Sequence, residues 1–369
     1  MYRDLTITGF RGFKHFTMSG LGRLNLLVGN NNSGKTSVLE ALLMLMGHGD
    51  PMGLGISFLT RGEVSGEELS EEHRPVFACS HLFHGHVADS GSEFSFSALN
   101  DLVHERFTAR IQAQPPAGQS RPTRGPARMQ RNVRWLQIRF EGKEPFEDGM
   151  LLTHQGDWIS EDLDRVLDQG KKEPGYPGAA NIEFITTRFL SNQEMIAELG
   201  KVLLNPAEQQ VVEALRIIEP RLDGVAAVPP ARRLNSVPDK AGIFVKLRGM
   251  ERRVPIGSLG DGIWRLLGIA LMLVAARNGF LLIDDIDTGL HYTVMADMWK
   301  MVQETARRLN VQVFATTHSR DCVEALASIA RPETSDGSEV SIQRIEPERA
   351  IAYSESEIVA AAERGIEVR

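Results

Sequence analysis

The sequence predicts an α/β protein built on a mostly parallel sheet, and three observations lead there. Apolar strand-like runs alternate with helical patterns through the last third of the chain, as a parallel sheet covered on both faces requires. The stretch LNLLVGNNNSGKTSVLEALLML, Leu24 to Leu45, passes from a buried-strand pattern through a Gly/Asn/Ser loop into helical spacing. A second apolar run, FLLIDDIDTGLH (Phe280 to His291), ends in a cluster of acids.

Taken in order, LTITGFRGF (Leu5 to Phe13) reads as a strand and LNLLVG as a second. Lys35 to Met46 reads as a helix with Val38, Leu39, Leu42, Leu43 and Met46 on one face, stopped by Gly47 and Asp50-Pro51. Arg61 to His73 is acidic and reads as a surface loop or frayed helix. Arg106 to Phe140 holds eight arginines and no Asp or Glu, with a Pro/Gly-rich piece suited to a loop between strands. Ser191 to Pro220 reads as two helices; Ile243 to Leu247 and Arg253 to Ile256 read as strands. Then come a helix over Gly262 to Arg277, the FLLIDD strand, a helix over Leu290 to Leu309, the strand VQVFATTH, a helix over Arg320 to Ala327, and late strands at Val340 to Ile345 and Ile351 to Tyr353.

Composition bounds the function. With 42% hydrophobic and 24% charged residues, a packed core is expected, and a net charge of −7 argues against a polybasic nucleic-acid binder overall. Two cysteines, Cys79 and Cys322, make no disulfide framework and suggest a reducing cytoplasm. The start lacks a signal-peptide layout, and Leu266 to Ile283 is too interrupted to span a bilayer.

Gly29, Asn30, Asn31, Asn32, Ser33, Gly34, Lys35 and Thr36 match G-x-x-x-x-G-K-S/T in the required strand–loop–helix context. Glycines let the backbone curl so that successive N–H groups face phosphate oxygens. Lys35 offers a point charge to the β/γ-phosphates, the Thr36 hydroxyl a ligand for Mg²⁺, and the helix its positive end. Ser37 is counted with the nucleotide-binding set. Asp284, at the end of the acidic strand, is the second expected Mg²⁺ contact, and Asp285 is placed to orient an attacking water. His318, ending the next strand, is expected to sense the γ-phosphate.

These motifs, in the order GNNNSGKTSVLEAL, SLGDG (Ser258 to Gly262), LLIDDIDTGLH and TTHS, resemble ABC-type ATPases of the SMC/RecF/OLD branch. ITGFRGF is similar to that branch's first strand, and VVEALRIIEPRLDGV and AAAERGIEVR resemble stand-alone OLD-like ATPases without a fused Toprim domain. The resemblance implies an ABC-type P-loop core with an antiparallel β subdomain and an inserted helical and loop region. It implies one domain over 1–369, with the Walker A part in 1–60. The inserted strands, Arg-rich loop and helical lobe would occupy 61–240, and the signature, Walker B and switch-His part 241–369. It also implies a homodimer, or higher homo-oligomer, sandwiching ATP. Ser258 of one copy would then reach the γ-phosphate on the other, Gly260 and Gly262 would allow close approach, and Leu290 and His291 would occupy the inter-subunit loop. A separate effector protein is expected as a partner; the residues after His318 are too few for the Toprim nuclease fused to many OLD-type ATPases, so a nuclease, if one belongs to the system, is expected on a separate chain.

Two departures stand out. The family usually has Glu where this chain has Asp285, and a carboxylate set back by about 1.5 Å predicts slow hydrolysis. The Gln that usually links the nucleotide to the lobe beyond it has no clear counterpart. No sustained heptads separate Thr36 from Ser258, so no long coiled-coil arm is expected.

Two weaker constellations remain. Cys79, His81, His84 and His86 are metal-competent but fit no ordinary zinc spacing, and read better as a strand-turn with incidental histidines. The arginines of 106–139, with Trp135 for stacking, suggest DNA contact, against the alternative of a solvated basic loop. The leading expectation is an Mg²⁺-dependent ATPase switch in DNA-related surveillance, with antiphage defence as its role. The rivals are a weakly hydrolysing, ATP-clamped scaffold and a RecF-like repair protein.

Overall fold

The computed structural model describes residues 1–48, 50–65, 76–101, 103–114, 134–153, 155–159, 180–203, 208–228, 242–330 and 339–364. The expected α/β architecture is present, with a largely parallel sheet, a separate antiparallel one and helices. The chain forms two compact units that exchange segments. One holds Met1–Ser19, Asn31–Ala180 and Ile345–Ile351; the other holds Gly20–Asn30, Asn181–Arg344 and Ala352–Arg369.

In the first unit, the described strands make a nine-stranded sheet with antiparallel pairings. Strict alternation in Val103–Gln112 sends Glu105, Phe107, Ala109 and Ile111 inward and Arg106 and Arg110 outward. Phenylalanines fill the inner face, with Phe96 stacked 5.3 Å from Phe107 and edge-on 4.9 Å from Phe10. The helix Lys35–Met46 packs on this sheet and is buried at every position except Thr36, its polar positions Lys35, Ser37 and Glu40 included.

The N-terminal segment departs from a single strand over Leu5 to Phe13. It breaks after Asp4–Phe10 at Arg11, whose φ of 49° turns the chain back into Phe13–Ser19. Pro51 ends nothing further; it starts a second helix, Pro51–Arg61, consistent with proline's preset φ at a first helical position. The expected strand-turn at CSHLFHGH is instead two short 3₁₀ segments, Cys79–Leu82 and His84–His86.

In the second unit the strand order is Ile182–Ile185, Phe280–Ile283, Gln312–Thr316, Leu24–Val28, Val340–Ile345, Ala350–Tyr353, and the first four neighbouring pairs are parallel. Leu24–Val28, Phe280–Ile283 and Gln312–Thr316 are buried at every position, the mark of strands covered on both faces. The helices Asp261–Ala275, Tyr292–Leu309 and Arg320–Ile329 contribute to the surrounding core. A small antiparallel sheet, Leu222–Ala227, Ile243–Leu247 and Val254–Pro255, completes the unit. No helix among the described residues is long and apolar enough to cross a membrane.

Candidate active site

The loop Gly29–Thr36 is shaped by three left-handed positions: Gly29 at φ 138°, Asn32 at φ 62° and Gly34 at φ 99°. At Gly34 the requirement is double, because a Cβ there would also run into the Phe13 ring. Gly34 precedes the helix at Lys35, and a first-turn N–H has no partner within its own helix. The Ser33 hydroxyl is buried with no hydrogen-bond partner among the described residues, so this loop carries a buried polar group that a ligand could satisfy. Lys35 is buried at the start of the helix and Thr36 is half-buried.

Ser37 is committed elsewhere: its hydroxyl accepts from Arg61 Nη2 at 3.0 Å. Arg61 also bridges both oxygens of Glu40, whose carboxylate is 2.6 Å from Arg11 Nε. Arg11 further binds Glu63 and Ser57, at 2.7 and 2.9 Å. This buried network braces the helix that follows the loop, and nothing in the spacing of the sequence announced it.

Within the second unit, three parallel strands bring their C-terminal ends to one edge of the sheet. They are Phe280–Ile283, Gln312–Thr316 and Leu24–Val28, the last of which leads into Gly29. Asp284 follows the first. It is buried, its N–H donates to Ile185 O at 2.8 Å, and its Oδ1 accepts from Thr316 Oγ1 at 2.6 Å. Thr316 Oγ1 in turn accepts from the Asp285 N–H at 2.8 Å. Asp285 sits at φ 51°, a left-handed conformation that Asp tolerates better than most side chains. Asp287 accepts from Thr317 Oγ1 at 2.5 Å. His318 does not lie in the strand as expected; the strand ends at Thr316, and His318 is exposed in the turn before helix Arg320–Ile329, which Ser319 caps.

Ser258 is exposed on the 3₁₀ turn Ile256–Leu259. Gly260 has φ 96°, which asks for glycine, whereas a methyl at Gly262 would meet only ordinary contacts with Leu290 and Val294. Leu290 is buried and His291 is exposed, capping the helix Tyr292–Leu309 through its ring nitrogen.

The sequence missed Arg265. It lies seven residues after Ser258, on the same helix as Gly262, and reads there as an ordinary polar position. In the structure it is buried, donates from Nη2 to the Asp285 carbonyl at 2.9 Å and stacks over Phe189 at 4.3 Å. Burial pulls its pKa down to about 10 against the opposing pull of Asp287 and Asp285. The Thr-Thr pair before His318 was the available signal for Thr316 and Thr317.

The weaker constellations change. His84 Nδ1 lies 3.0 Å from the Arg11 carbonyl, and His81 and His86 pair with each other at 3.1 Å. Cys79 is fully buried, which pushes its thiol pKa up and away from metal binding. Trp135 is buried in the sheet core rather than available to stack on a base. Arg106, Arg110 and Arg139 stand cross-strand from Glu141, Glu93 and Glu147, the last pair at 3.1 Å, which favours the solvated-face reading for these three. The Pro/Gly-rich piece QPPAGQSRPTRGPAR, after its first residue, lies outside the described residues, as do 129–133.

A family model described as "AAA domain, putative AbiEii toxin, Type IV TA system" matches residues 24–321. The chain belongs to this family. The match takes in the phosphate loop, the Ser258 segment, both acids and His318, so the AAA-domain assignment and the loop geometry concern the same residues. A Helicobacter pylori protein named "ATP/GTP phosphatase" is 22% identical over 362 residues, covering 90% of this chain and 89% of that one. An uncharacterised Methanocaldococcus jannaschii protein is 33% identical over 86 residues, 23% of this chain and 75% of its own length. Similar solved structures include the SMC head domain from Thermotoga maritima, at 13% identity, TM-score 0.41 and coverage of 96% and 98%. Another is a Pyrococcus furiosus Smc head with an extended coiled coil bound to the C-terminal domain of ScpA, at 11% identity, TM-score 0.45 and 99% of both chains.

Proposed function

We propose that this member of the AAA-domain family binds ATP with Mg²⁺ and hydrolyses it slowly, as a nucleotide-driven switch of the OLD-like kind. The observation that carries the reading is the shared edge of three parallel strands. It sets the mouth of the phosphate loop, the Asp284–Asp285 turn and the segment before His318 at the C-terminal ends where such sheets bind ligands. The loop fits a triphosphate through its left-handed backbone and its buried Ser33 hydroxyl.

In this reading the amides of Gly29 to Lys35 bind phosphate oxygens and Lys35 balances their charge. Thr36 and Asp284 would hold Mg²⁺, which when bound neutralises charge on the phosphate oxygens. Asp285 orients water for in-line attack, and His318 hydrogen-bonds the γ-phosphate. The exposed Ser258, with Gly260 and Gly262 at the start of a helix, would close over the nucleotide of a second copy. The output is a change of assembly that an effector protein reads, in antiphage defence with a nuclease carried on another chain. The family description names a putative toxin of a type IV toxin–antitoxin system, and the H. pylori relative is named a phosphatase of ATP and GTP.

Phosphate release measured alongside sedimentation, with and without ATP·Mg²⁺, tests this. Wild type should turn over and gain mass with ATP; Lys35→Ala should do neither, and Ser258→Arg should bind ATP as a monomer. Unchanged mass with saturating ATP would remove the sandwich. A second reading, an ATP-clamped scaffold, is favoured by Asp285 itself, one methylene short. ATP-dependent assembly with no turnover would select it.

A further inference from the structure

We infer that Arg265 is a positioning residue that holds the Asp285 turn in register with the helix bearing the Ser258–Gly262 segment. The inference rests on the ATPase reading above and adds a residue and a route to it.

Asp285 is fixed at both ends of its backbone. Its N–H is taken by Thr316 Oγ1 and its carbonyl by Arg265 Nη2, at 2.8 and 2.9 Å. The conformation between these two bonds is left-handed, which is uncommon for an L-residue even where, as with Asp, it is tolerated, and the two bonds hold it. Thr316 belongs to the neighbouring strand, but Arg265 belongs to the helix Asp261–Ala275. One end of the carboxylate-bearing turn is therefore anchored to the sheet and the other to the helix whose N-terminus follows Ser258.

The anchor is built rather than incidental. Phe189, itself at φ 61°, lays its ring beneath the guanidinium. Three residues further along the same helix, Gly268 leaves room for that ring: a Cβ there would stand 2.5 Å from Phe189 Cζ. Arg265 Nε is buried with no hydrogen-bond partner among the described residues, so the side chain is held by the carbonyl bond and the ring. Burying a long cationic side chain is costly, and here the Asp285 carbonyl, the Phe189 ring and the nearby charges of Asp287 and Asp285 offset that cost at this one turn. A shift of the helix, such as engagement of Ser258 by a nucleotide, would reach the Asp285 carbonyl through this side chain.

The test combines kinetics and binding. Arg265→Met removes the donor and keeps length. It should lower kcat roughly 10- to 100-fold, the effect of misplacing a catalytic group by about 1 Å. KM and the affinity for a fluorescent ATP analogue should stay within about twofold. Arg265→Lys, which keeps a donor, should recover part of the rate, and Gly268→Ala, which displaces Phe189, should lower kcat in the same direction. In an Asp285→Asn background, Arg265→Met should change the residual rate by less than about twofold, because the carboxylate it positions is gone. If Arg265→Met does not fold, Arg265→Lys and Gly268→Ala carry the same comparison.

An equal loss with and without Asp285, a loss confined to nucleotide affinity, or an unchanged kcat in a hydrolysing wild type overturns the inference alone. A wild type no faster than Asp285→Asn overturns the ATPase reading and the inference together.

Discussion

Replacing Arg11 by Met tests how much the helix behind the phosphate loop depends on one buried charge. The Arg11 side chain is 6% exposed and that of Glu40 1%; Glu63 is 15% exposed. Arg11 lies 2.6 Å from Glu40 and 2.7 Å from Glu63, and also binds Ser57. Its loss leaves Glu40 with Arg61 alone and takes from Glu63 the cation that faces it. Breaking a buried pair from one side costs about 3–5 kcal/mol, and the retained Arg61 contact places the expected loss near 3 kcal/mol. Urea titration of wild type and R11M, compared at equal slope, reads that difference. Adding Glu63→Gln should restore at least about 1 kcal/mol by removing the stranded charge. The exposed pair Arg320–Glu324, 2.7 Å apart with both side chains more than half exposed, is the control: R320M should shift stability by less than about 0.5 kcal/mol. A loss below about 1 kcal/mol for R11M, or equal losses for the two arginines, would refute the claim that burial makes this network matter.

Three further outcomes are expected. Asp285→Glu extends the carboxylate by about 1.5 Å and should raise turnover up to about 100-fold, while the left-handed φ of 51° costs the longer side chain about 1 kcal/mol; phosphate release and thermal melting read the two effects, and slower turnover would count against the short-carboxylate account. Thr316→Val preserves shape but strips the hydroxyl from Asp284 and the Asp285 N–H, so it should destabilise by about 1–3 kcal/mol in chemical unfolding; a loss no larger than that of an exposed Thr→Val would contradict it. Hydrogen bonds from the Ser354 side chain and backbone hold Glu357 below the usual carboxylate range. That contribution is present above the unfolded-state pKa and disappears as pH falls through the lower folded value. Amide protection factors in Glu355–Glu363, taken relative to the intrinsic exchange rate at each pH, should therefore fall as the pH drops below the ordinary carboxylate range, and Glu357→Gln should weaken the dependence. Glu355, raised by burial, acts with the opposite sign on the same helix, so the difference between wild type and variant isolates Glu357.

The helix Lys35–Met46 and the strands Ile243–Leu247 and Val340–Ile345 were legible to the residue, because local periodicity and the bounding glycines or charges point the same way. The strands of the nine-stranded sheet were harder to see. Their signal is alternation of phenylalanine with arginine and serine, which resembles a basic surface until the pairing register puts an acid opposite each of Arg106, Arg110 and Arg139. The break at Arg11 was hidden for a similar reason: a left-handed turn at arginine has no composition signature, and the partners that hold it are 29 and 52 residues away.

What the sequence determined by itself is the chemistry that needs contiguous residues. A phosphate loop is one strand, one turn and one helix start, so its pattern lies in contiguous residues; the left-handed φ at Gly29 and Gly34 is the local part of that demand. Tertiary structure decided everything that depends on side chains meeting from distant segments. Thr316 bridges Asp284 and Asp285 from the next strand, Arg265 holds Asp285 from a helix twenty residues earlier, and Arg61 claims the hydroxyl of Ser37. The physical reason is that a buried polar group is satisfied by whichever partner folding brings within about 3 Å, and sequence distance carries no information about that.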